Sequence, residues 1–140
     1  MSYKILLFDL DDTLLDFQAT EINALKKLFR LHGYTFTDEL FQVYNSINKQ
    51  LWAEYENGNM ALDEVLNSRF SQTMQRLGKL VDGMEWENQY RELLGNGCQL
   101  MEGALEVCQN LSVSHRLFVI TNGLAQTQIK RLRQSGLYDF

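Results

Sequence analysis

Three polar side chains at alternate positions follow a short apolar segment near the start of the chain: Asp9, Asp11 and Thr13. The preceding residues 5–8, Ile-Leu-Leu-Phe, are branched or aromatic, which is typical of a buried strand in a parallel sheet. Ligands of such sheets bind beyond the carboxyl ends of the strands, where the two aspartates are expected to lie. Two carboxylates this close repel each other unless a cation lies between them, and Mg²⁺ prefers oxygen ligands. The spacing therefore predicts a Mg²⁺ site that includes Asp9 and Asp11.

The same two aspartates could carry phosphoryl transfer. Asp9, beside a metal and facing a phosphate, could attack phosphorus and form an aspartyl phosphate. Asp11 could donate a proton to the leaving oxygen and then take one from the attacking water. Either aspartate alone could instead be a turn former or a helix cap, but the whole Asp-x-Asp-x-Thr string after a strand favours the catalytic interpretation. A calcium loop is excluded because Leu14 and Thr20 occupy the positions where that pattern needs a glycine and an acid.

A second apolar segment, residues 116–120, ends at Thr121, Asn122 and Gly123. The threonine could offer its hydroxyl and backbone N–H to a phosphate, and the N-terminus of the helix that follows favours an anion. Taken alone, these three residues are as well explained by a plain turn between a strand and a helix. Because the first segment has the same design, we expect both polar ends to form one site.

Composition limits the class of protein. A hydrophobic fraction of 45% and a charged fraction of 22% over 140 residues are typical of a globular domain. The net charge of −5 argues against a nucleic-acid polymer or an anionic membrane as partner. No apolar segment approaches the roughly 20 residues that a membrane-spanning helix needs, and the N-terminus shows no signal-peptide pattern. Cys98 and Cys108 match no metal spacing and are expected to be small buried or half-buried thiols of a cytoplasmic protein.

Between the two strands, apolar residues recur at three- and four-residue steps, which predicts helices rather than strands. Four such helices are expected, and they end near four glycines: Gly33, Gly58, Gly78 and Gly95. Thr37 is the expected N-cap of the second helix. Further helices are predicted over residues 103–111 and 126–134. The predicted organisation is a discontinuous α/β core with parallel strands, residues 1–15 and 98–140, interrupted by an all-helical insert, residues 16–97.

These motifs resemble those of a known family. Residues 8–14, Phe-Asp-Leu-Asp-Asp-Thr-Leu, resemble the first motif of the haloacid dehalogenase (HAD) superfamily, and residues 119–123 resemble its second motif. The helical insert resembles the C1 cap of that family. The dehalogenases themselves lack an acid at the position of Asp11, so Asp11 favours the phosphatase branch. More narrowly, the chain resembles the pyrimidine 5′-nucleotidase-like group through Asn48, Leu51, Trp52, Arg69, Phe70 and residues 130–137.

The resemblance implies a Rossmann-type α/β fold and a role for each site residue. Asp9 is then the nucleophile and a Mg²⁺ ligand, and Asp11 is the general acid and base and binds the metal through its backbone carbonyl. Thr121 and Asn122, with Gly123, bind the phosphate. The cap is expected to close over the site and select the leaving group. The candidate cap residues are Phe17, Asn48, Trp52 and Arg69, although the two aromatic residues could be core residues and the arginine a solvated charge.

The implied substrate is a small phosphorylated metabolite, preferably a nucleoside 5′-monophosphate. A phosphosugar phosphatase or a phosphomutase stays open as an alternative enzyme. The family also uses a lysine after a third strand and an acidic pair after a fourth, and both would follow Phe140. A catalytically inactive fragment, or a module that binds phosphate or a partner, is therefore a second class to consider. A two-stranded sheet would expose apolar faces and edges, which favours a homodimer formed through the sheet edge.

Overall fold

The computed structural model describes residues 3–140. Residues 1 and 2 of the predicted core segment, residues 1–15, lie outside the described residues. The elements follow in the order β1 (Ile5–Asp9), α1 (Phe17–Leu31), α2 (Asp38–Glu56), α3 (Leu62–Arg76), α4 (Gly83–Gly95), α5 (Ala104–Ser112), β2 (Arg116–Ile120) and α6 (Ala125–Ser135), with a final 3₁₀ turn at Leu137–Asp139. This confirms the expected α/β class with helices between the strands. No described helix has the length and apolar character that crossing a membrane would require.

The two strands are parallel neighbours, and their register fixes the site edge. Ile5 pairs with Arg116 and Asp9 pairs with Ile120. Thr121 therefore follows directly after the residue that pairs with Asp9. The two polar motifs, more than a hundred residues apart in sequence, meet at the carboxyl edge of one sheet as predicted.

One face of the sheet packs on a core and the other does not. The packed face contributes Phe8, Leu117 and Val119 to a cluster whose buried members are Leu10, Leu14, Leu15, Ala104, Cys108 and Leu137. The opposite face exposes apolar side chains: Ile5, Leu7, Phe118 and Ile120. Both cysteines are free thiols, Cys108 buried and Cys98 half-buried, as expected, and burial raises the pKa of Cys108. The homodimer stays a prediction.

The chain forms two compact units, one of Met1–Ala24 with Glu92–Phe140 and one of Leu25–Arg91. Helices α1 and α4 each continue from one unit into the other. The first unit contains both strands, and the second is entirely helical. The insert predicted from the sequence, residues 16–97, is longer than this helical unit. Whether the whole insert acts as a cap stays a prediction.

The helical unit is held by aromatic packing and one buried ion pair. Tyr44, Phe70 and Tyr90 pack with ring centroids 5.2–6.4 Å apart. Beside them, Arg69 donates two hydrogen bonds to Glu87, from Nε to Oε2 at 2.8 Å and from Nη2 to Oε1 at 2.7 Å. Burial by itself lowers the pKa of Arg69, whereas Tyr44 and the Glu87 carboxylate raise it, and the net shift is upward. The guanidinium therefore stays charged inside the unit.

Candidate active site

The loop between β1 and α1 presents the acidic motif because its leucines anchor it. Leu10, Leu14 and Leu15 are buried. The Leu10 carbonyl accepts hydrogen bonds from the backbone N–H groups of Leu14 at 2.9 Å and Leu15 at 3.0 Å, which closes a tight turn. Asp9 is exposed and Asp11 is half-buried. The alternation of leucine and aspartate thus separates a buried anchor from acids at the surface.

The carboxylate of Asp9 is only partly engaged. Its Oδ1 accepts a hydrogen bond from the backbone N–H of Leu10 at 2.9 Å. Among the described residues, nothing donates to its Oδ2. An exposed carboxylate with one oxygen fixed and the other free is suited to nucleophilic attack or to metal binding.

Asp11 is held on both oxygens, by two residues of α6 that sequence reasoning missed. Gln128 donates from Nε2 to Oδ2 at 2.9 Å, and Arg131 donates from Nη1 to Oδ1 at 2.5 Å. The signal that could have found them is the composition of α6. Its buried residues are Gln128 and Arg131, three positions apart on one face, where a packed helix usually presents apolar side chains.

The hydroxyl of Thr121 is arranged to act as a donor. Its oxygen accepts hydrogen bonds from the backbone N–H of Gly123 at 3.1 Å and from Gln128 Nε2 at 2.9 Å. Because a threonine hydroxyl has two acceptor positions and one proton, that proton is left for another acceptor, such as a phosphate oxygen. Asn122 is exposed in the same turn. Glycine is needed at position 123 because a Cβ there would lie 2.5 Å from Gln128 Nε2.

The donor set at this edge fits Mg²⁺. No group of three His, Cys, Asp or Glu side chains lies together within residues 3–140, so a metal here would depend on Asp9 and Asp11. Mg²⁺ is usually held by one or two carboxylates, with water and substrate phosphate completing the octahedron. Although the Asp11 carboxylate is engaged, none of the backbone hydrogen bonds within residues 3–140 ends on the Asp11 carbonyl oxygen. The Asp9 carboxylate and the Asp11 carbonyl are thus available to a metal, and their role as Mg²⁺ ligands stays a prediction.

The third acid of the motif, Asp12, has a structural function. Its backbone adopts the left-handed conformation with φ of 58°. Its Oδ1 accepts hydrogen bonds from the backbone N–H groups of Phe17 at 3.0 Å and Gln18 at 3.3 Å, at the start of α1. Asp16 accepts a further hydrogen bond, from Ala19 N at 3.1 Å. Asp12 thus joins the acidic loop to the helix that follows it.

Replacing Asp12 by alanine is expected to lower the free energy of unfolding by about 1–3 kcal/mol, because it removes a cap and because alanine lacks the short polar side chain that makes left-handed backbone tolerable for aspartate. Asp12→Asn keeps an acceptor and tolerates this conformation, so it should cost less than about 1 kcal/mol. Asp12→Gly tolerates the left-handed backbone but also lacks the cap, so its loss of stability should lie between those of the other two variants. Urea unfolding measures all three, and equal stability of Asp12→Ala and the native protein would contradict this role.

The candidate cap residues have different environments. Arg69 is buried and paired with Glu87, so the alternative of a solvated charge is wrong. Asn48 lies beside it, and its Oδ1 accepts a hydrogen bond from Arg69 Nη1 at 3.4 Å. Trp52 is half-buried against the cluster of Ile47, Leu51 and Val65 in the helical unit. Phe17 belongs to the other unit, where its ring centroid lies 5.8 Å from the guanidinium carbon of Arg131. Substrate contact by these four residues stays a prediction.

Comparison with known proteins gives three relatives that align along nearly the whole chain. YfnB of Bacillus subtilis (strain 168) is 45% identical over 138 residues, which are 99% of this chain and 59% of that protein. Its crystal structure, solved bound to magnesium, matches with a TM-score of 0.95 at 44% identity and covers 99% of this chain and 61% of that chain.

Two further relatives are named pyrimidine 5′-nucleotidases. PynA of Streptococcus pneumoniae (strain ATCC BAA-255 / R6) is 36% identical over 141 residues, and YjjG of Escherichia coli (strain K12) is 29% identical over 140 residues. Both alignments cover 100% of this chain and 60% of the relative. The chain thus spans about 60% of the length of the curated relatives it matches.

The model of a family described as haloacid dehalogenase-like hydrolase matches residues 3–140. That match covers both polar motifs, the helices between them and the sheet edge at which they meet. The chain belongs to the haloacid dehalogenase-like hydrolases.

Proposed function

We propose that the protein is a Mg²⁺-dependent phosphate monoester hydrolase that acts through an aspartyl-phosphate intermediate, with a nucleoside 5′-monophosphate as the preferred substrate. The observation that carries this proposal is the meeting of Asp9, Asp11 and Thr121 at the carboxyl edge of the sheet. A free carboxylate oxygen, a second carboxylate two residues on and a hydroxyl with a proton to donate provide a nucleophile, a proton carrier and a phosphate contact. The relatives named pyrimidine 5′-nucleotidases favour a pyrimidine nucleotide.

The first chemical step forms the covalent intermediate. Asp9 Oδ2 attacks phosphorus, the bond between phosphorus and the ester oxygen breaks, and Asp11 gives a proton to the departing alcohol. Thr121 donates its hydroxyl proton to a phosphate oxygen. Magnesium, when bound, offsets the negative charge that the phosphate and the carboxylates bring together. The magnesium in the YfnB crystal structure supports this choice of ion.

The second step restores the carboxylate. Water attacks phosphorus, Asp11 takes a proton from that water, and the bond between phosphorus and Asp9 breaks to release inorganic phosphate. The net reaction is hydrolysis of one phosphate ester, with Asp9 and Asp11 returned to their starting states. A phosphomutase would instead pass the phosphoryl group from Asp9 to a second hydroxyl of a sugar.

Phosphate release from a panel of esters tests this function on the full-length protein. The panel consists of pyrimidine and purine nucleoside 5′-monophosphates and hexose phosphates, each with Mg²⁺ and with EDTA. We expect the pyrimidine nucleotides to be hydrolysed fastest, no turnover in EDTA and recovery when Mg²⁺ is restored. Faster release from hexose phosphates would favour the phosphosugar alternative, and isomerised hexose phosphate without release would indicate a mutase. Activity that persists in EDTA would contradict the role of the metal.

The contribution of the downstream motifs is tested by assaying residues 1–140 beside the full-length protein. The resemblance implies a lysine beyond Phe140 that stabilises the transferring phosphoryl group. Because the loss of such a cation costs on the order of several kcal/mol in the transition state, we expect residues 1–140 alone to be at least about a hundredfold slower. Equal rates would contradict this requirement. Complete inactivity of the longer chain on every ester would favour the binding-module alternative.

A further inference from the structure

Gln128 and Arg131 form a hydrogen-bond network around Asp11. Gln128 Nε2 divides its two protons between Asp11 Oδ2 and Thr121 Oγ1, both at 2.9 Å. Its Oε1 accepts from Arg131 Nη1 at 2.9 Å, while the same Nη1 donates to Asp11 Oδ1. Among the described residues, Arg131 Nη2 is buried and has no hydrogen-bond partner. One amide connects a residue of the first motif to a residue of the second.

Burial makes this network stiff. The side chains of Gln128 and Arg131 are 5% and 1% exposed. Arg131 is fixed at its other end, since its Nε donates to the backbone carbonyl of Gly97 at 2.8 Å. The two residues share one face of α6, and neither can turn away without leaving further buried polar groups unpaired, which is costly.

A purely structural explanation does not account for the arrangement. An ion pair in the interior rarely contributes more stability than apolar residues of the same volume, because both charges must be desolvated. Here the cation is buried, whereas the Asp11 side chain keeps 29% of its surface exposed. The network therefore fixes a carboxylate that still faces solvent. Donors on both oxygens prevent rotation of the carboxylate, so that its orientation toward an incoming ester is set in advance.

We propose that Gln128 and Arg131 are positioning residues of this site, which hold the Asp11 carboxylate and the Thr121 hydroxyl in register for proton transfer at a bound phosphate. The proposal rests on the proposed function for its kinetic consequence. The contacts themselves are testable without turnover. Gln128 acts on both motifs, and Arg131 acts on Asp11 and on Gln128.

A double-mutant cycle in the full-length protein tests whether Gln128 acts through Asp11. Gln128→Met keeps the length of the side chain and removes both donors. We expect kcat to fall about 10- to 100-fold with KM changed less than about threefold, a part of what general acid–base catalysis supplies. In an Asp11→Ala background, where only the contact with Thr121 is left to lose, the same substitution should lower the remaining rate by no more than about fivefold. If Gln128→Met lowers kcat by the same factor with and without Asp11, the proposal is overturned. Lys130→Met, on the exposed side of α6, is the matched control and should leave kcat unchanged.

Side-chain NMR gives a readout that does not need activity. The Nε–H proton of Arg131 and the side-chain amide protons of Gln128 should exchange slowly with solvent. Asp11→Ala should shift the Gln128 amide resonances and speed their exchange, whereas Asp9→Ala should leave both unchanged. Gln128 resonances insensitive to Asp11→Ala would overturn the proposal. If the native protein hydrolyses no phosphate ester, the proposed function fails. The side-chain resonances of Gln128 and Arg131 still show in that case whether these two residues hold Asp11.

Discussion

Replacing Asp9 by asparagine is expected to lower the rate of phosphate release from the preferred ester at least about a thousandfold. The amide of asparagine is too weak a nucleophile to form the acyl phosphate that the carboxylate forms. The fold should survive, because the asparagine oxygen can still accept the hydrogen bond that Asp9 Oδ1 accepts from Leu10 N. The measurement is steady-state phosphate release by the full-length protein, with circular dichroism to show that the variant is folded.

The matched control is Asp12→Asn, the same chemical change three residues along the same loop. Asp12 caps α1 and is not assigned to the reaction, so its variant should keep kcat within about threefold of native. Trapping with labelled ester should give an acid-stable phosphoenzyme in the native protein and in Asp12→Asn, but not in Asp9→Asn. Turnover by Asp9→Asn within tenfold of native would overturn the assignment of the nucleophile.

Replacing Glu87 by glutamine is expected to destabilise the protein by about 3–5 kcal/mol. Glu87 is fully buried and accepts two hydrogen bonds from Arg69 and a third, at 3.1 Å, from Arg91 Nε. Because an arginine guanidinium keeps its proton in proteins, the variant leaves the positive charge of Arg69 buried without its counter-charge. Thermal unfolding should show a Tm lower on the order of 10 °C.

Two variants isolate the cause. Glu85→Gln makes the same change at an exposed position of α4 and should alter stability by less than about 0.5 kcal/mol. The double replacement Arg69→Met with Glu87→Leu removes both charges and should recover most of the loss, since apolar residues of similar volume can replace a buried ion pair. A Glu87→Gln variant as stable as Glu85→Gln would contradict the buried pair.

Most helices and strands could be predicted from the sequence because they depend on the local spacing of apolar residues. The strand predicted over residues 116–120 is β2, and the predicted cap at Thr37 accepts its hydrogen bond from Leu40 N at 3.2 Å. Gly136 ends α6 in the left-handed conformation that favours glycine. These features depend on residues within one or two turns of each other, so a single sequence contains their cause. The limits of the helical unit were less accessible, because α1 and α4 continue through them.

The interior charges were harder to predict because a charged residue on a helix has the same local pattern whether it is solvated or paired. The local pattern allows Arg69 to be a solvated charge, and only the structure shows that it is buried and paired with Glu87, 18 residues away. Likewise, the local pattern gives no role to the exposed Asp12, and its φ of 58° with the N–H groups of α1 shows a cap. In each case the deciding partner lies on another element.

The sequence by itself determined the two strands, the acids that end the first and the threonine that ends the second, because side-chain alternation and turn chemistry act over neighbouring residues. Only the tertiary structure decided that Asp11 is bound by Gln128 and Arg131, 117 and 120 positions away. Those contacts require β1 and β2 to pair in one register and α6 to turn one particular face to the sheet edge. That choice depends on the packing of the whole core, which local sequence patterns do not contain.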